Sequence, residues 1–110
     1  MNISEYIEDR ARNKALQSPC KFKIAALGFN RRGELVSSAT NSLRFSRKGG
    51  GVHAEAQVMR DAKKKGIKTI LICRVNPNGV ILPIEPCEHC AKLAEKLGIR
   101  IISVLEVGTL

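Results

Sequence analysis

The chain has few aromatic residues and no long apolar run. Its 110 residues contain no tryptophan, and aromatic side chains make up 4% of the sequence: Tyr6, Phe22, Phe29 and Phe45. This scarcity argues against the base-stacking surface that single-strand binders usually carry. No apolar run is long enough for a membrane-spanning helix. The first residues lack the basic flank and apolar stretch of a signal peptide, so we expect a cytoplasmic protein.

Acidic residues are also scarce relative to basic ones. The sequence holds 19 lysines and arginines against 10 acidic residues, for a net charge of +9. Residues 41–75 alone carry nine basic and two acidic side chains. A positive field of this kind attracts phosphates, on a free nucleotide or on a polymer. A solvated basic surface that merely aids solubility explains the charge equally well.

Length and hydrophobic pattern predict one α/β domain over residues 1–110. Hydrophobic residues make up 44% of the chain and charged residues 26%, which is typical of a soluble globular protein. The order α-β-β-α-β-α-β predicts a three-layer α/β/α sandwich with a mixed sheet of four strands. The predicted helices are 3–16, 53–65 and 87–97, and the predicted strands are 22–29, 35–39, 69–75 and 100–107.

A histidine-glutamate pair and a proline-cysteine motif form the most informative pattern. His53-Ala54-Glu55 and Pro86-Cys87-Glu88-His89-Cys90 together read H-x-E … P-C-x-x-C, which is typical of zinc-dependent nucleobase deaminases. Cys87 and Cys90 are three residues apart at a predicted helix start, so both sulfurs face one side of the first turn. With His53 as a third ligand and a fourth position open to water, the pattern predicts a catalytic Zn²⁺ site.

Glu55 is predicted to move protons beside that metal. Zinc lowers the pKa of bound water, so a zinc-bound hydroxide is available to attack the carbon that bears the exocyclic amine. A neighbouring carboxylate takes the proton of the water and passes it to the ring nitrogen and the leaving amine.

The alternative is a structural zinc, which needs four protein ligands. His89 and Cys73 are the spare candidates. His89 lies between the two cysteines and should point away from the metal. Cys73 falls in an apolar run and should be a small buried hydrophobic residue. The complete pattern therefore favours the catalytic site.

These motifs and their order resemble the cytidine deaminase-like superfamily. The resemblance covers the chain from about Phe22 onward, and the segment from Arg74 to Gly79 is similar to that of small phage and viral members. The resemblance implies that His53, Cys87 and Cys90 hold zinc and that Glu55 is the proton shuttle. It further implies that the Ala54 amide contacts the base, and that Asn41 contacts the sugar or base.

Three functions remain open at this stage. The first is hydrolytic deamination of a free nucleoside or nucleotide, most simply cytosine to uracil in nucleotide metabolism, with Arg44 and its basic neighbours holding a phosphate. The second is editing of cytosine or adenine in single-stranded DNA or RNA, where the basic-aromatic pair Arg44-Phe45 would contact the strand. The third is a non-enzymatic, basic nucleic-acid-binding module with a structural zinc; the presence of Glu55 argues against it.

A homo-oligomer is also expected. Many relatives continue beyond the predicted fourth strand with a further helix and strand. A sheet edge left open at this point would be covered by a partner subunit.

Overall fold

The described part of the chain holds four helices and five strands in the order α-β-β-α-α-β-β-α-β. The computed structural model describes residues 5–41 and 53–105. The helices are α1 (Glu5–Leu16), α2 (Ala54–Met59), α3 (Ala62–Lys65) and α4 (Glu88–Leu97), and the strands are β1 (Lys23–Asn30), β2 (Leu35–Thr40), β3 (Ile67–Val75), β4 (Ile81–Leu82) and β5 (Arg100–Ser103). Within these ranges no helix combines the length and apolar character needed to cross a membrane.

The strands form one mixed sheet around β3. Strand β1 pairs antiparallel with both β2 and β3, so the sheet begins in the order β2-β1-β3. Two strands share the other edge of β3: β5 runs parallel to residues 69–72, and β4 runs antiparallel to residues 74–75. This arrangement confirms the predicted mixed sheet.

Helices cover both faces of the sheet. Helix α1 places the fully buried Ala11 and Ala15 against one face, where Leu71 and Cys73 contribute to the same core. Helices α2 and α4 cover the opposite face, with Val58 buried in a second core. Because the β3 side chains alternate between these two cores, the strand is apolar throughout its middle. The predicted three-layer α/β/α architecture is confirmed.

Gly28 lets α2 approach β1 closely. A Cβ atom at this position would lie 2.7 Å from Cγ1 of Val58 and 3.0 Å from Cδ1 of Ile67. Real Cβ atoms essentially never come so close to a neighbour as the first of these distances. The missing side chain therefore sets the distance between α2 and the sheet.

The predicted four-stranded sheet is wrong, since the structure adds β4. Ile81 and Leu82 pair with Val75 and Arg74 through the tight turn that begins at Asn76. A strand of two residues is too short to show a period in the sequence, and Pro83 prevents its extension into a longer ladder.

Two element boundaries also differ from the prediction. The predicted helix 53–65 is divided into α2 and α3, because the Asp61 amide donates to the Val58 carbonyl only three residues back and the chain tightens there. The predicted last strand, 100–107, ends at Ser103, and residues 104–105 are helical. Residues 106–107 lie outside the described ranges.

Candidate active site

The first half of the site lies at the start of α2. His53 is the N-cap residue, with an extended backbone at φ −71° and ψ 138°, and Glu55 lies in the first helical turn. The Nδ1 atom of His53 is 3.1 Å from Oε1 of Glu55. The His53 side chain is half exposed, whereas Glu55 is 4% exposed. A buried carboxylate therefore stands beside a solvent-accessible imidazole.

Side-chain contacts hold α2 in this position. The amide of Gln57 donates from Nε2 to the carbonyl of Thr40 at 2.6 Å, which ties α2 to the end of β2. Ala54 is buried at the first helical position. Its N–H has no acceptor within the helix, because the first amides of a helix precede the repeating i to i−4 bonds. An N–H at this position of a helix can serve a ligand at the helix N-terminus.

The second half of the site lies at the start of α4. Cys87 is the N-cap residue, and its Sγ accepts a hydrogen bond from the backbone amide of Cys90 at 3.2 Å. This hydrogen bond fixes the direction of the Cys87 sulfur at the start of α4. Cys90 is 2% exposed and packs into the core between α4 and the sheet.

The two helix starts bring four donor groups together. One ligand atom from each of His53, Glu55, Cys87 and Cys90 lies within 4.8 Å of every other. Zinc favours one imidazole and two thiolates in this kind of catalytic set. The donor chemistry and the spacing therefore fit a zinc site.

The two buried thiols have different surroundings. Burial, followed by contact with Cys87 and the charge of Glu55, raises the pKa of Cys90 far above that of an exposed thiol. Binding a metal would replace that proton, because the metal ligand is the thiolate. Burial also raises the pKa of Cys73 to about 11, but Cys73 lies in the core on the α1 face. The prediction that Cys73 is a buried small hydrophobic residue is confirmed.

A cavity opens onto three of the four donor residues. Its volume is about 630 Å³, within the range of about 300–1,000 Å³ that is usual for small-molecule sites. His53, Glu55 and Cys87 form one part of its wall, and the segment 83–85 forms another. The remaining wall comes from the sheet, through Phe22, Ile24 and Arg74.

Asn41 is occupied by contacts within the protein. Its Oδ1 accepts hydrogen bonds from the Ser18 hydroxyl at 2.6 Å and from the Ile24 amide at 3.0 Å. Its Nδ2 donates to the Phe22 carbonyl at 2.6 Å. The side chain thus fixes the entry of β1, and the expected contact of Asn41 with a sugar or base stays a prediction.

The remaining sequence candidates fall into two groups. Arg44 and Phe45 lie outside the described residues. His89 is exposed and does not belong to the group of four donors, in agreement with the orientation expected for it.

Sequence reasoning missed Arg74 and Phe22 as cavity residues. Their guanidinium and ring are in contact, with Cζ of Arg74 4.7 Å from the ring centroid. A signal was present in the alternation of β3, because Arg74 shares a face with Ile70 and Ile72 on the side covered by α2 and α4. A charge at the end of such an apolar row indicates a site at that end of the strand.

Comparison with known proteins agrees with this geometry. Residues 1–106 match the protein family described as the cytidine and deoxycytidylate deaminase zinc-binding region. No curated protein matches the sequence significantly.

Solved structures share the fold at low sequence identity. Cytidine deaminase from Burkholderia pseudomallei superposes with a TM-score of 0.68 at 16% identity, covering 93% of this chain and 86% of that one. Cytidine deaminase from Mycobacterium leprae gives 0.65 at 18% identity, with 90% and 86% covered. The apo dCMP deaminase of cyanophage S-TIM5 gives 0.58 at 15% identity, with 97% and 94% covered. From the family match over nearly its whole length, with a donor cluster that fits zinc, the chain belongs to the cytidine and deoxycytidylate deaminase family of zinc-dependent hydrolytic deaminases.

Proposed function

We propose that this protein deaminates cytosine to uracil in a free nucleoside or nucleotide. The observation that carries the proposal is the cavity of about 630 Å³ whose wall includes His53, Glu55 and Cys87. A pocket of this size accommodates one small ligand. Its contact with the donor cluster allows the exocyclic amine of a bound base to reach the reacting groups.

The proposed chemistry divides between a metal and the chain. Zinc held by His53, Cys87 and Cys90 would supply activation of a water molecule near neutral pH. Glu55 accepts a proton from that water and delivers it to the ring nitrogen. It then takes the second proton of the water, from the hydroxyl newly bonded to the ring carbon, and passes it to the departing amine. A carbon–oxygen bond forms at the amine-bearing carbon, the carbon–nitrogen bond breaks, and ammonia leaves.

Burial of Glu55 supports its proposed role. The carboxylate is 4% exposed and adjoins the Nδ1 atom of His53, so it is held in place and shielded from bulk water. The N–H of Ala54, at the same helix start, is the proposed donor for a carbonyl oxygen of the base. These two groups define a proton-transfer side and a base-orienting side of the proposed site.

The test is deamination followed by mass spectrometry on zinc-loaded protein, beside Glu55→Ala. The substrates are cytosine, adenine and guanine nucleosides and nucleotides, and single-stranded DNA and RNA oligomers. Conversion of a cytosine monomer that depends on Glu55 supports the proposal. Conversion confined to oligomers, or to a purine, contradicts it.

We also propose that the protein assembles as a homo-oligomer. The outer edges of β2 and β5 have no paired strand among the described residues. Such edges are usually covered in native proteins. Light scattering coupled to gel filtration tests this, and a monomer at micromolar concentration would contradict it.

A reducing, cytoplasmic compartment fits the four cysteines. Cys20, Cys73, Cys87 and Cys90 are all free thiols in the structure. Disulfides are rare in the cytosol, where thiols are kept reduced and available to bind metal. We therefore propose a cytoplasmic location, which imaging of the tagged protein in its native cell would check.

A further inference from the structure

Arg74 stands at the end of β3 that opens onto the active-site cavity. It is paired with Ile24 of β1 on one side and with Leu82 of β4 on the other. Its side chain follows Ile70 and Ile72 along the face covered by α2 and α4. Sheet register therefore directs Arg74 to the same cavity as Glu55.

The guanidinium of Arg74 is held in place but incompletely bonded. It lies over the Phe22 ring, with Cζ 4.7 Å from the centroid. Its Nε atom is buried and has no hydrogen-bond partner among the described residues. Buried donors are nearly always satisfied, so an unpaired Nε in a ligand cavity indicates a missing acceptor.

The acidic residues of the cavity do not provide that acceptor. Glu55 is engaged with His53, and Glu85 forms no ion pair with Arg74 within the described residues although it lines the same cavity. Among the described residues that line the cavity, Arg74 is the only lysine or arginine. An anionic group of the ligand would satisfy both its charge and its hydrogen-bonding capacity.

We propose that Arg74 binds the phosphate of a cytosine nucleoside monophosphate, which makes the nucleotide and not the free nucleoside the preferred substrate. This inference rests on the proposed cytosine deaminase function. A guanidinium presents parallel N–H donors, including Nε–H, that match two oxygens of one phosphate. Stacking on Phe22 fixes the plane of the Arg74 guanidinium. A neutral carbonyl of the base would leave the charge of Arg74 uncompensated.

The first experiment compares kcat/KM for CMP and dCMP with the values for cytidine and deoxycytidine. The wild type should prefer a monophosphate by on the order of 100-fold, the effect of a charge-assisted hydrogen-bond pair. Arg74→Gln should lose most of that preference while its activity on the nucleoside changes less than about threefold. Arg74→Lys keeps the positive charge but lacks the paired N–H donors of a guanidinium, so it should retain only part of the preference for the monophosphate.

Arg100→Gln is the matched control. It removes the same charge from an exposed position in β5 that pairs with Thr69, five residues from Arg74 along β3. That separation is roughly 16 Å at about 3.3 Å per residue. The control should keep the wild-type preference for the monophosphate.

A binding measurement separates recognition from turnover. Calorimetry would follow CMP binding to zinc-loaded Glu55→Gln, with and without Arg74→Gln. The added substitution should weaken binding of CMP by on the order of 100-fold and binding of cytidine hardly at all. Equal zinc content shows that the compared proteins are folded at the site. If Arg74→Gln loses zinc, the test rests on Arg74→Lys. A reduced preference of that variant for CMP over cytidine supports the role of Arg74, and an unchanged preference contradicts it.

The outcomes distinguish this inference from the function on which it rests. Equal wild-type efficiency on CMP and cytidine overturns the role of Arg74 and leaves the deaminase function standing. An equal loss of kcat/KM for CMP and cytidine in Arg74→Gln, with zinc retained, also overturns phosphate binding by Arg74 and leaves the deaminase function standing. It would assign Arg74 a positioning role. Failure of the wild type to convert any cytosine monomer contradicts both proposals.

Discussion

The Nδ1 atom of His53 lies 3.1 Å from Oε1 of Glu55, although the backbone is extended at His53 and helical at Glu55. His53 is extended as the N-cap, and Glu55 is already in the first turn of α2. The change from extended to helical backbone turns both side chains toward the cysteines of α4. This relationship makes the role of Glu55 testable without disturbing the metal.

Glu55→Gln should retain zinc and lose turnover. Glutamine has the shape of glutamate but cannot exchange the proton, so kcat should fall by about 10²–10⁴. Zinc content should stay near that of wild type, because His53, Cys87 and Cys90 remain. Metal analysis and steady-state kinetics on the same preparation check both parts. Glu95→Gln, which makes the same change on the exposed side of α4, is the control and should be fully active. Normal turnover in Glu55→Gln would refute the proton shuttle.

Cys90→Ala should abolish zinc binding and destabilise the fold. Cys90 combines a donor position with burial in the core, so the substitution removes a ligand and leaves a small cavity. Cys87→Ala should also lose the metal, with a smaller packing cost because Cys87 is only partly buried. Zinc analysis and thermal unfolding with and without a chelator measure these effects.

Cys73→Ala provides the matched control for the cysteine variants. Cys73 is equally buried but lies in the core on the α1 face. This variant should lose some stability and keep its zinc, and its melting temperature should still fall when a chelator is added. Full zinc occupancy in Cys90→Ala would remove Cys90 from the ligand set.

Gly28→Ala should force α2 away from the sheet. The added methyl group would lie 2.7 Å from Cγ1 of Val58, so we expect a loss of about 1–3 kcal/mol in the free energy of unfolding. Urea unfolding measures it. Val58→Ala removes the clashing atom, so the double variant should be more stable than the sum of the single losses predicts. Strict additivity would show that the contact between Gly28 and Val58 does not limit the helix position.

The thiol of Cys73 should make stability fall at alkaline pH. Burial raises its pKa from 9.0 to about 11, so the folded protein holds this proton more tightly than the unfolded chain does. The resulting stabilisation is fully present below pH 9 and is lost as the pH rises through about 11. The loss should be on the order of 2 kcal/mol.

Urea unfolding of wild type and Cys73→Ala between pH 8 and 11.5 isolates this contribution. The alanine variant has no thiol at that position. Above pH 9 the free energy of unfolding should therefore fall more steeply for the wild type than for Cys73→Ala. Parallel curves over the whole range would show that the Cys73 thiol does not contribute to the pH dependence.

The zinc motif was readable from the sequence because its geometry is local. His53 and Glu55 are two residues apart across the start of α2, and Cys87 and Cys90 are three residues apart across the start of α4. Local backbone geometry fixes the relative directions of such side chains before any tertiary contact forms. The same locality explains why the helices and the longer strands could be predicted while β4, with two residues, could not.

The rest of the site depended on tertiary contacts. Arg74 faces the cavity because of the register of β3 with its neighbours. Phe22, which contacts its guanidinium, is 52 positions earlier in the chain. The hydrogen bonds of the Asn41 amide to Ser18, Phe22 and Ile24 likewise depend on the fold, while its contact with a ligand stays a prediction. The chain alone thus determined the metal chemistry and the α/β architecture, through short-range spacing and hydrophobic periodicity. Only the tertiary structure decided which distant side chains form the cavity, since pairing and packing between elements bring them together.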